Sequence, residues 1–297
     1  MRKLFLLLLP VLLFLAGCRN GNASSESLPV SEPERVAVLF SSLAEIWLEA
    51  GGEIAVTVGE TVERGFAPPG TPLVDEGAGK TVNLELLISL EPDFVICSAD
   101  IPAQVQAAEV LEKAGIPAML CRVESFADYL TVLSDMAVIT GQPEKAEACS
   151  VMAAEAAEIL ASVRSEETKR ILFIRAGSTD ASTKAKRAED HFACAMLEEF
   201  GCWNIAADTP ELLDGLSMET ILLADPDYIF FSLMGKEETA LAHVQSLLAG
   251  DTWGRLSAVR EGRVAILPKE LFHYKPCSRW PEAYRYLADI LSADGEA

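Results

Sequence analysis

One skeleton occurs twice in this chain, and no other feature constrains its fold as much. The stretch VNLELLISLEPDFVICS, residues 82–98, returns as LSMETILLADPDYIFFS, residues 216–232. In each copy a small polar residue, Asn83 or Ser217, stands two places before a glutamate, Glu85 or Glu219. Seven residues further on comes Pro-Asp, then an aromatic residue and a short apolar run. From Glu85 to Glu219 the offset is 134 residues, and a second landmark nearly repeats it. ERVAVLF at 34–40 and KRILFIR at 169–175 both read as strands, and Arg35 lies 135 residues before Arg170. Such a period is too long for a solenoid repeat. It fits two copies of one fold, each within the usual ~100–150 residue range.

Each copy alternates apolar strand-like runs with helical patterns, which predicts parallel α/β sheets. Between the copies, residues 143–167 are rich in Ala and Glu and contain no internal Gly or Pro. Apolar residues at Ala146, Cys149, Ala153, Ala156, Ile159 and Leu160 keep a helical period. At ~1.5 Å per residue this helix would run roughly 35 Å. The expected architecture is therefore α/β, with two Rossmann-like lobes of mostly parallel sheet joined by a single long helix. The boundaries are an N-terminal lobe at 34–141, a linking helix at 142–168 and a C-terminal lobe at 169–297.

The N-terminus points outside the cytoplasm. Arg2 and Lys3 precede LFLLLLPVLLFLA, an apolar run too short to span a bilayer, which leads into LAGC. This resembles a bacterial lipoprotein signal at 1–17, in which Cys18 becomes the lipidated, membrane-anchored N-terminus. Residues 18–33 are polar and read as a flexible tether. The formal charge is −21, and −23 once Arg2 and Lys3 are removed. A domain this acidic repels the phosphate backbone, which excludes nucleic acid as a partner. Six cysteines remain besides Cys18, and none forms a C-x-x-C pair. Cys97 and Cys121 end successive strands, which leaves both a disulfide and two buried thiols open.

No catalytic constellation emerges. EGAGKT at 76–81 lacks the first Gly of a phosphate loop, and AGSTD at 176–180 has Asp180 where a nucleophile elbow needs Gly. The three histidines, His191, His243 and His273, have no metal-ligand spacing. What remains are the loops at the C-terminal ends of strands, where open α/β sheets bind ligands. In the first lobe these carry Ser41, Ser42, Thr61, Arg64 and Phe66, then Ser98 and Asp100. In the second they carry Arg175 and the cluster Lys184, Lys186 and Arg187, then Ser232, then His273 and Tyr274. Cations grouped in so acidic a chain suggest an anionic ligand.

Taken together, the lipobox, the two lobes, the NLE…PD and SME…PD skeletons and the closing segments WGRLSAVREGRV and HYKPCSRWPEAYRYLA resemble one family. It comprises the helical-backbone substrate-binding lipoproteins of ABC importers for iron–siderophore, haem and cobalamin. The resemblance implies a monomeric, non-enzymatic protein with no built-in cofactor, which holds its ligand between the lobes. It would deliver that ligand to a permease dimer powered by an ATPase, and the single linking helix would limit closure to a small rotation. Glu85 and Glu219 match the family's permease-docking glutamates, one per lobe. Among ligands, Arg175, Lys184 and Arg187 resemble the basic clusters that hold ferric catecholates, so a ferric siderophore leads. Haem, with Tyr274, His273 or Met234 as axial ligand, is the alternative, together with cobalamin, although Trp residues fall on helices rather than in loops. A tethered surface sensor is a further reading.

Overall fold

The structure, a computed structural model, describes residues 32–75, 81–163 and 167–293. Cys18, its signal and nearly all of the tether lie outside the described residues, as does most of EGAGKT. The chain enters through Val36–Val38 (β1), Ser41–Glu49 (α1), Val56–Thr57 (β2), Gly59–Glu63 (α2) and Leu84–Ser89 (α3). Phe94–Ser98 (β3), Pro102–Lys113 (α4), Ala118–Cys121 (β4) and Phe126–Ile139 (α5) complete the first lobe. Every residue of β1 and β3 is buried, as a parallel strand covered on both faces requires. The sheet runs β2-β1-β3-β4 and is parallel throughout.

Glu147–Ser162 (α6) links the lobes. It is shorter than the sequence suggested. Pro143–Ala146 forms a separate 3-10 turn, which leaves a regular helix of 16 residues, about 24 Å long. The second lobe follows with Arg170–Ala176 (β5), Lys184–Ala185 (β6), Phe192–Glu199 (α7), Trp203–Asn204 (β7) and Met218–Ala224 (α8). Tyr228–Leu233 (β8), Glu237–Leu248 (α9), Ser257–Arg260 (α10), Val264–Leu267 (β9), Lys269–Phe272 (α11) and Trp280–Ser292 (α12) close the chain. β5, β8 and β9 are parallel. One edge of β5 is shared: β7 pairs in parallel with its start, and β6 pairs antiparallel with its end. The polar loop after β5 thus folds back as a strand, with Lys184 opposite Arg175.

The repeated skeleton proves to be a repeated device. Asn83 accepts the amide of Leu86 at 3.0 Å and Ser217 that of Thr220 at 3.4 Å, so each caps its helix. Each helix ends in a left-handed residue directly before proline, Glu91 at φ 49° and Asp225 at φ 39°. The aspartate after the proline then pins the lobe's first strand. Asp93 accepts the amides of Glu34 and Arg35 at 2.7 and 2.9 Å, and Asp227 accepts that of Arg170 at 2.7 Å.

One apolar cluster runs through both lobes. It takes in Val36 and Val38 from β1, Trp47 from α1, Met152 from α6, Ile171 and Phe173 from β5. Trp280 sits at its centre, with ring centroids 5.6 Å from Phe126 of the first lobe and 5.3 Å from Phe192 of the second. Cys97 and Cys121 lie on opposite faces of their sheet, because Cys121 stands in register with Ser98. They cannot pair, and none of the six described cysteines forms a disulfide.

Candidate functional site

The strand order of the first sheet reverses between β1 and β3, so the loops after these strands diverge and leave a crevice. Gln104 ties them together, accepting the amide of Ser98 at 2.7 Å and donating to the carbonyl of Leu39 at 2.8 Å. The second lobe presents the end of β5 and the segments after β8 and α11 to the same space. The result is a cleft of about 350 Å³ between the lobes, within the usual size range of ligand sites.

On the first-lobe side the cleft is walled by Ser42, Glu60, Glu63 and Asp75. Glu60 accepts the Ser41 hydroxyl at 2.6 Å, and Asp75 accepts the amide of Gly59 at 2.8 Å. Beside them lies Arg64, whose guanidinium bonds Glu45 at 2.9 Å, Ser41 at 3.0 Å and Ser42 at 3.3 Å. It is also flanked by two rings, Phe66 at 4.6 Å and Tyr274 of the other lobe at 4.2 Å. Its charge is therefore already matched within the fold. Burial raises the pKa of Glu45 despite the arginine beside it.

On the second-lobe side stand Arg175, Met234, His273, Tyr274 and Lys275. Lys275 reaches Glu124 of the first lobe at 3.1 Å. Arg175 differs from both other cations. Among the described residues it has no side-chain hydrogen bond and no carboxylate partner, and its Nε is buried without an acceptor. Burial lowers its pKa. His273 is pushed down to about 4, first by burial and then by Arg175 and Lys269. It is neutral near pH 7, and its buried Nδ1 also lacks a partner.

The other residues singled out from sequence lie apart from the ligand space. Ser41, Ser98 and Ser232 are buried, and their hydroxyls serve Glu60, the amide of Asp100 and the carbonyl of Phe272. Thr61 is buried too. Asp100 pairs with Arg122 at 3.1 Å. Arg187 pairs with Asp190 and Glu189, and neither it nor Lys184 nor Lys186 lines the cleft. The basic basket expected from the sequence thus reduces to Arg175. His191 caps α7, accepting the amide of Ala193 at 3.2 Å, and packs against Phe173. Glu60, Glu63, Asp75 and Lys275 went unnoticed. The first two follow β2 and the last follows Tyr274, so the strand-end rule extended by a few residues would have found them.

Glu85 and Glu219 occupy the same place in their helices, one residue after the first, and both are exposed. Their helices precede β3 and β8 and run back along them, so both glutamates lie at the strand ends that border the cleft.

Residues 36–271 match the family described as periplasmic binding protein. The chain is 24% identical to an uncharacterized ABC transporter substrate-binding lipoprotein, YvrC, of Bacillus subtilis, over 84% of this chain and 78% of the relative. It is 26% identical to the vitamin B12-binding protein of Salmonella choleraesuis, over 66% of this chain and 71% of the relative. A periplasmic heme-binding protein from Roseiflexus sp. RS-1, RhuT in its apo form, superposes with a TM-score of 0.69 at 20% identity. That alignment covers 89% of this chain and 99% of the other, and the likeness is one of fold.

Proposed function

The chain belongs to the periplasmic binding protein family, and from that premise we propose that it is the substrate-binding component of an ABC importer for a metal-containing chelate. It is a transport component and not an enzyme. The ligand lies in the cleft between the lobes, and an anionic group of it takes up Arg175. One observation carries this reading: a half-buried guanidinium facing a ligand-sized cleft with no hydrogen-bond or carboxylate partner among the described residues. Such a group is costly unless something anionic completes it. The neutral His273 beside Tyr274 and Met234 makes haem a second reading, with the iron taken by one of these three.

Glu85 and Glu219 serve as the two docking points for the two halves of the permease. The capping and stapling residues around them explain the repeated helix, yet among the described residues neither glutamate takes part in a hydrogen bond of that device. Lipid on Cys18 holds the protein at the outer face of the cell membrane, near its transporter.

The reading is tested by titrating the full-length protein in detergent with haemin, cyanocobalamin and ferric siderophores. Saturable 1:1 binding of one of them is expected. A Soret shift lost in Tyr274→Phe, His273→Ala or Met234→Ala would place haem there. No saturable binding by any of the probes would overturn the chelate reading.

A further inference from the structure

The two walls of the cleft carry opposite charge, and this selects among chelates. The first lobe contributes three carboxylates, Glu60, Glu63 and Asp75. Glu60 and Glu63 sit on α2, the short helix that follows β2, and both are exposed. The Ser41 hydroxyl fixes one oxygen of Glu60, and the Gly59 amide fixes one oxygen of Asp75. The other oxygen of each has no partner among the described residues, and Glu63 has none for either. The second lobe contributes two cations, of which Lys275 is already matched by Glu124. Arg64 is matched by Glu45. His273 adds no charge near neutral pH. Among the described residues that line the cleft, Arg175 is therefore the cation without a carboxylate partner, and it faces three carboxylates across the gap.

A ligand bearing several negative charges meets repulsion here. A ferric tricatecholate carries three, and only Arg175 would offset them. Haem brings two propionates with no hydrogen-bond donors to satisfy the carboxylate wall. At short range such like-charge contacts oppose binding. The wall instead calls for donors.

Resting on the importer reading, we infer that the cleft selects a polarised chelate, with amide or ammonium donors along one edge for Glu60, Glu63 and Asp75 and a single anionic or oxygen-rich edge for Arg175. Two ligand types share this chemistry: a corrinoid, with its ring of primary amides and one phosphodiester, and a ferric trihydroxamate with a free ammonium group.

The test is a competition series on the full-length protein with four probes: cyanocobalamin, a ferric trihydroxamate carrying an ammonium group, haemin and a ferric tricatecholate. One of the first two should bind at least about tenfold more tightly than either polyanion, and which one does so separates the two sources. Glu60→Gln/Glu63→Gln alters only exposed side chains. It should weaken the preferred probe about tenfold and narrow or reverse the preference over the polyanions. Tighter binding of haemin or the tricatecholate by the unsubstituted protein would overturn the charge argument and leave the importer reading intact. An unchanged preference in the double variant would also overturn it. Failure of all four probes would instead remove the chelate reading beneath it.

Discussion

At the scale of single residues, the cleft owes its character to groups left without partners. Arg175 and His273 are adjacent enough for the guanidinium to depress the imidazole, and each has a buried nitrogen with no partner. The depressed pKa of His273 has a consequence for stability. In the unfolded chain a histidine takes up its proton near pH ~6.5, whereas in the fold His273 does so only at about 4. Protonation therefore favours the unfolded state. The contribution is intact above pH ~6.5 and is lost progressively as the pH falls to about 4. His191 is shifted in the same direction by burial. Glu45 and Glu124 are raised by burial and oppose the trend, so the comparison is made against a variant. Melting temperatures followed from pH 7 to pH 4 should fall less steeply in His273→Gln than in the unsubstituted protein. Parallel curves would refute the burial of a neutral imidazole at this position.

At the scale of elements, much was legible and the misses are instructive. The 134-residue repeat correctly announced two parallel α/β units, because Asn83, Pro92 and Asp93 with their counterparts each perform a fixed backbone task. The linking helix came out shorter because proline at position 143 starts a 3-10 turn before the α-helix takes over. β6 was invisible: two residues paired antiparallel to the end of β5 carry no periodicity of their own. For the same reason the cluster Lys184, Lys186 and Arg187 read as a ligand loop, while the fold turns it to the edge of the sheet. Arg175, Met234, His273 and Tyr274 were legible because strand ends in open sheets point at the crevice. Ser98 and Ser232 were misleading by the same rule, since small hydroxyls at strand ends also satisfy backbone. The two glutamate-bearing helices, α3 and α8, yield a prediction at this scale. Glu85→Lys/Glu219→Lys should leave ligand affinity unchanged and abolish ligand-stimulated ATP hydrolysis by the reconstituted importer. Unimpaired stimulation would show that the paired glutamates are only favourable residues near helix N-termini, where a carboxylate contributes about 0.3–1 kcal/mol.

At the scale of the whole molecule, the lobes are held by more than their linking helix. Trp280 is completely buried between Phe126 and Phe192, and Tyr284 packs on Phe126 as well. Polar ties cross the same seam, from Ser278 to Glu49 at 3.0 Å and from Lys275 to Glu124 at 3.1 Å. Wide opening would expose this shared core, and a buried aromatic of that size contributes several kcal/mol. Wide opening is therefore costly, which keeps both walls of the cleft within reach of one ligand. On the importer reading, this ligand completes Arg175 from across the gap. The most direct measurement is a calorimetric titration of the unsubstituted protein and Arg175→Gln with the tightest-binding probe. Binding weaker by tenfold or more, with an unchanged melting temperature, is the predicted result. Equal affinity in the two proteins would contradict it, because Arg175 would then have no part in holding the ligand.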